Sequence, residues 1–128
     1  DLALVLDIHH HWIRDEEYIE AKDDRVKRVI DSWRGQRPTL HYSYSRDEHL
    51  AVAGLGDKTH TQMHDIKDLL ARGCKKQKLR AHSDLLPNRA VNDWALSFSE
   101  NFDIQTEAKG KNMAQEQLYR QAKETAVI

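Results

Sequence analysis

The hydrophobic pattern opens with Leu2-Ala3-Leu4-Val5-Leu6 and gives way to Asp7-Ile8-His9-His10-His11. A short unbroken apolar run predicts a strand buried on both faces, as in a parallel sheet covered by helices. Its polar groups then fall at the carboxyl end, where α/β barrels and doubly wound sheets carry their chemistry. Ile19, Val26, Val29, Ile30 and Trp33 recur at helical spacing. Glu16, Glu17 and Glu20 precede them and Lys27, Arg28 and Arg34 come late, which predicts an amphipathic helix of about five turns ended by Gly35 and Pro38.

Pro38 to Tyr44 predicts a second strand, with Thr39, His41 and Ser43 on one face and Leu40 and Tyr42 on the other. Strand, helix and strand in this order make a βαβ unit, which requires parallel pairing. The pattern loosens from Arg46 to Ala81 and reads as an elaborated loop, an insertion, with a helix over Thr59 to Arg72 closed by Gly73. Val91, Trp94, Ala95 and Phe98 mark a further helix with Pro87 near its first turn. Phe102 to Ala108 alternates as a third strand, with Ile104, Thr106 and Ala108 opposite Asp103, Gln105 and Glu107, and Ala114, Leu118 and Ala122 begin a last helix.

The 128 residues fit a single domain, but the chain enters a core strand at once, so it reads as an internal or C-terminal piece of a larger soluble, cytoplasmic protein. No apolar run is long enough to cross a bilayer, and no membrane partner is expected. Charged residues make up 32% with a net charge of −1, so any nucleic-acid binding must be local. The single cysteine, Cys74, excludes an internal disulfide and reads as a bystander, since no motif sets it beside a base.

The compositional oddity is eight histidines, three of them adjacent. If the three strands run parallel, their carboxyl ends share one rim, and Asp7, His10, His41, His82 and Glu107 converge there from across the chain. Three imidazoles and two carboxylates suit a divalent transition metal such as manganese or zinc, and the lack of clustered thiolates disfavours a Cys-rich zinc site. His9 and His11 are read as one neighbour in the mouth and one packing or solvent-facing residue. His49, His60 and His64 are rival ligands to His82. Any one of these histidines, taken alone, is more often an ordinary satisfied polar or surface group than a ligand; it is the coincidence of five acid and imidazole groups at strand ends that favours metal ligation.

Four motifs, Asp7-Ile8-His9-His10-His11, Leu40-His41-Tyr42-Ser43, His82-Ser83-Asp84 and Glu107-Ala108-Lys109-Gly110-Lys111, stand in order along nearly the whole chain. Together they resemble the successive C-terminal motifs of the UV damage endonuclease family. The resemblance implies the last three βα units of a (β/α)8 barrel of the endonuclease IV and xylose isomerase type. It also implies an enzyme that nicks damaged double-stranded DNA on the 5′ side of a lesion with metal-activated water. Asp7, His41 and Glu107 would hold one metal and His10 with His82 another, in a cluster described for the family as manganese. Lys109 and Lys111, beside Glu107, would contact substrate phosphate, a better claim than that of the basic run Lys75 to Arg80, which reads as a solvated loop.

Two departures stand out: Thr39 replaces a lysine common in the family, and the spacing from His41 to His82 is long. The family draws further ligands from upstream strands, so this piece is expected to hold an incomplete cluster and to be inactive alone. Its open sheet edges predict self-association as a dimer. A metal-dependent sugar isomerase or epimerase on the same barrel, and a non-catalytic interaction module, are the competing readings.

Overall fold

A computed structural model of the chain describes residues 2–54, 62–107 and 111–126, the last segment without the side chains at 111, 112, 125 and 126. Within them the fold is mixed α/β, with a three-stranded sheet and seven helices. Strands β1 (Leu6–Asp7), β2 (Thr39–Tyr42) and β3 (Asp103–Thr106) lie in chain order, all parallel. The register pairs Asp7 with His41 and His41 with Gln105, so these three side chains share one face of the sheet.

The first strand is much shorter than the apolar run predicts. It ends where Asp7 caps helix α1 (Ile8–Asp15), its Oδ1 accepting the His10 N–H at 2.8 Å. Nor is the run buried on both faces: Leu2, Leu4 and Val5 are exposed because β1 is an edge strand with a neighbour only on the β2 side. Of the five-turn helix of the sequence reading only the second half forms, α2 (Asp24–Ser32), where Asp23 caps it by accepting the Arg25 N–H; residues 16–23 are not helical, and α1, ended by Glu16 at φ 60° in the left-handed region, is an additional helix ahead of it. Two aspartate caps overrode the periodicity.

The 46–81 region carries α3 (Asp47–Leu50), a 3-10 turn (Ala51–Ala53), α4 (Ile66–Ala71) and α5 (Lys76–Leu79). The helix expected from Thr59 begins at Ile66, where Asp65 caps it; Thr59 itself lies outside the described residues. Gly73, at φ 106°, makes the expected turn after α4. The region leaves β2 and returns beside it, since Ser45 forms an antiparallel bridge with His82 and Ser83 N–H donates to Tyr44 O at 2.8 Å. Helix α6 (Arg89–Leu96) is capped by Asn88, and α7 (Lys111–Ala126) follows β3.

The core lies on the face of β2 that carries Leu40, Tyr42 and Tyr44. Rings from distant segments interlock there, with Trp12 stacked on Tyr18, Tyr18 edge-on to Trp94, and Trp94, Phe98 and Phe102 continuing edge to face. The opposite face is open: Asp103 and Gln105 are exposed, and Asp7, Thr39, His41 and Glu107 are half-buried. Among the described residues no helix is long and apolar enough to cross a membrane.

Candidate functional site

Alternation along β2 and its continuation places His41, Ser43 and Ser45 on one side of the sheet, where His41 is half-buried and the two serines are buried, and the same alternation on β3 brings Glu107 beside His41. Glu107 extends the β3 ladder by one rung, its N–H donating to Tyr42 O at 2.8 Å. That rung sets the carboxylate against the neighbouring imidazole: His41 Nδ1 lies 2.6 Å from Glu107 Oε1. Both side chains remain about one-third exposed, at 30% and 36%, so a ligand can reach them.

Asp7 stands in register with His41 on the adjacent strand, one carboxylate oxygen held by the α1 cap. The His10 side chain is exposed on α1. His82 sits at the far end of β2, where its backbone bridges Ser45 and its ring lies edge-on to that of His9 with centroids 6.2 Å apart. Of the five expected ligands, therefore, His41 and Glu107 are in direct contact and Asp7 flanks them in register. Among the described residues no three or more His, Cys, Asp or Glu side chains gather as a group that could hold a metal ion. Lys109 and the Lys111 side chain lie outside the described residues, as does His60.

His9 holds a place that sequence reasoning missed. It is buried beneath the open face with Nδ1 2.9 Å from Ser43 Oγ and Nε2 3.0 Å from Ser45 Oγ. Ser45 spends its hydroxyl proton on Leu79 O at 2.7 Å, so it accepts from the His9 Nε2–H, and Nδ1 in turn accepts from the Ser43 hydroxyl. This chain fixes a neutral tautomer. Burial, with lesser contributions from His82 and His10, pulls the His9 pKa down to about 3. The signal was present in the period-2 continuation of Thr39, His41 and Ser43 to Ser45, which supplies two hydroxyls to one buried partner.

His11 and His64 have structural settings. His11 lies between Asp15 (3.0 Å) and Glu17 (3.1 Å), and Glu17 also binds Arg25, so α1 is tied to the start of α2. His64 is buried with Nε2 3.0 Å from the Tyr44 hydroxyl. The basic run forms α5, where Leu79 is buried, Lys75, Lys78 and Arg80 are exposed, and Lys76 Nζ donates to Arg14 O at 3.3 Å. Buried Cys74 has its thiol pKa raised by desolvation, as suits an inert residue.

An imidazole and a carboxylate in contact at a strand end have the donor chemistry of a divalent transition-metal site, and a second carboxylate stands one strand away. Compared with known proteins, the chain matches no family model, no curated protein and no solved structure.

Proposed function

We propose that this chain is the part of a (β/α)8-type barrel that carries its last three βα units, and that the whole protein is a metal-dependent endonuclease acting on damaged duplex DNA. The observation that carries the reading is the one-sided sheet. A parallel sheet is ordinarily covered on both faces, yet here Asp7, Thr39, His41, Gln105 and Glu107 line an open face opposite the core. In a barrel that face turns inward, and the carboxyl ends of its strands form the active-site rim.

In this reading His41 and Glu107 hold one metal with Asp7, and His10 and His82 belong to a second position completed by residues from other strands. A manganese or zinc cluster held there would supply a water nucleophile and charge to offset that of the scissile phosphate. The protein's own groups orient that cluster. The His41–Glu107 contact fixes the imidazole ring against β3, and His9 locks the first turn of α1 to the end of β2.

The test is nicking of ultraviolet-irradiated duplex DNA by the intact parent protein with manganese present. His41→Ala and Glu107→Gln are expected to lower the rate by about a hundredfold or more, since outer-shell partners of a metal cost about 10–100-fold when lost and these two are direct ligands in this reading. The 128-residue chain alone is expected to give no lesion-dependent cleavage. Undiminished nicking by both variants would overturn the site, and vigorous nicking by the isolated chain would overturn the incomplete-cluster argument.

A further inference from the structure

The two edges of the sheet are finished differently. On β3, Asp103 and Glu107 donate their N–H groups to Pro38 O and Tyr42 O, so the polar groups of Ile104 and Thr106 turn away from β2 toward the outer edge. Gln115, from α7, takes both: its Oε1 accepts the Thr106 N–H at 3.3 Å and the Thr106 hydroxyl at 2.9 Å, and its Nε2 donates to Ile104 O at 3.3 Å. A carboxamide is chemically a peptide group. Bridging the C=O of one residue and the N–H of the residue two further on is the bonding of a parallel neighbour, whereas an antiparallel neighbour exchanges both bonds with a single residue.

An open cleft of about 510 Å³ runs along this edge, lined by Phe102, Ile104, Gln115, Leu118 and Tyr119. On the opposite edge Leu2, Leu4 and Val5 lead into β1 with exposures of 87%, 50% and 63%. Leu4 has its N–H on Ser32 Oγ and its C=O on the Trp33 indole, which anchors the backbone of this segment while its side chains stay exposed. One edge thus offers an apolar segment leading into a parallel strand, and the other a cleft of mixed lining, with Arg37 and Asp103 beside its apolar residues, next to a position for such a strand.

We propose that the outer edge of β3 is a docking site for the Leu2–Leu6 segment of a second copy of this chain, added parallel to β3, and that Gln115 occupies the rung until the strand arrives. The contact is heterologous, edge to opposite edge, and two copies joined twice close into a ring. In the whole barrel of the proposed function both of these edges would be covered by the protein's own other strands, so the contact is a property of the 128-residue chain by itself, and it does not depend on the metal site. Gln115 is an exposed side chain whose hydrogen bonds the incoming strand replaces, so it opposes association rather than driving it.

Sedimentation of the 128-residue chain over a concentration series tests this. The chain is expected to associate, Gln115→Ala to tighten association by about tenfold, the worth of hydrogen bonds that no longer have to be given up, and Val5→Asp and Tyr119→Asp each to weaken it. Both aspartates replace exposed side chains, so folding is retained. Mixing the two restores one intact junction and regenerates a dimer of one of each, which a contact between like edges cannot do. A chain that stays monomeric with and without Gln115→Ala assigns the edge to some other segment and overturns the proposal, as does a dimer indifferent to Val5→Asp or a mixture that fails to pair.

Discussion

His9 shows how much a single side chain can hold in this fold. Its ring joins α1 to two serines just past β2 and, through Ser45, to the last turn of α5, so replacing it leaves the buried Ser43 hydroxyl without its acceptor and Ser45 with one bond fewer. His9→Ala is expected to cost roughly 2–4 kcal/mol in urea denaturation at neutral pH, from the cavity and the lost hydrogen bonds together. The pH dependence has a definite sign. The folded pKa lies at about 3, below the ordinary 6.5, so the unfolded chain binds the proton more readily. The contribution is complete above the ordinary value and is lost as pH falls from there toward the folded pKa, by at most about 1.4 kcal/mol per pH unit. His9→Ala removes this component, and stability that falls with acid identically in both proteins would show that His9 is not buried neutral. The serines on the same face as His41 were legible from alternation. Their shared partner was not, because a run of three histidines gives no sign of which ring turns inward.

At the scale of elements, the order strand, helix, strand, helix, strand, helix and the parallel pairing follow from apolar periodicity. Element ends were set by caps that periodicity does not weigh. Asp7 stops β1 and starts α1 within one residue, where the reading ends the strand, but nothing in the apolar run marks Leu2 to Val5 as lying outside it. The short helices between Arg46 and Ala81 have too few turns to show a period. Asn88 is the cap with the widest reach: Oδ1 accepts the Val91 N–H at 3.0 Å while Nδ2 donates to the Tyr44 hydroxyl at 3.1 Å and to Gln62 O at 2.8 Å. Asn88→Ala is expected to lower the unfolding free energy by about 2–3 kcal/mol, a lost cap plus buried polar groups left without it. Asn88→Ser, which keeps a capping oxygen, recovers part of the loss. Equal losses in the two variants, read from urea midpoints, would locate the effect in the amide alone.

For the whole molecule the central relation is between the open face and the parallel direction of its strands. Residues from both ends of the sequence share that face because the register sets Asp7 beside His41 and carries Glu107 one rung past β3. Strand direction and the polar character of this face were legible in the sequence. The direct contact between His41 and Glu107 was not, since it depends on a register that alternation alone leaves free to slip. If these groups serve a metal, the site belongs to the assembled rim, and the intact protein is where it is read. The measurement that bears on this most directly is the metal content of the parent protein purified without a histidine tag, by mass spectrometry, beside His41→Ala and Glu107→Ala. The account predicts manganese or zinc in stoichiometric amount, lost in both variants while far-ultraviolet circular dichroism is unchanged. A metal-free protein, or metal retained in both variants, would contradict it.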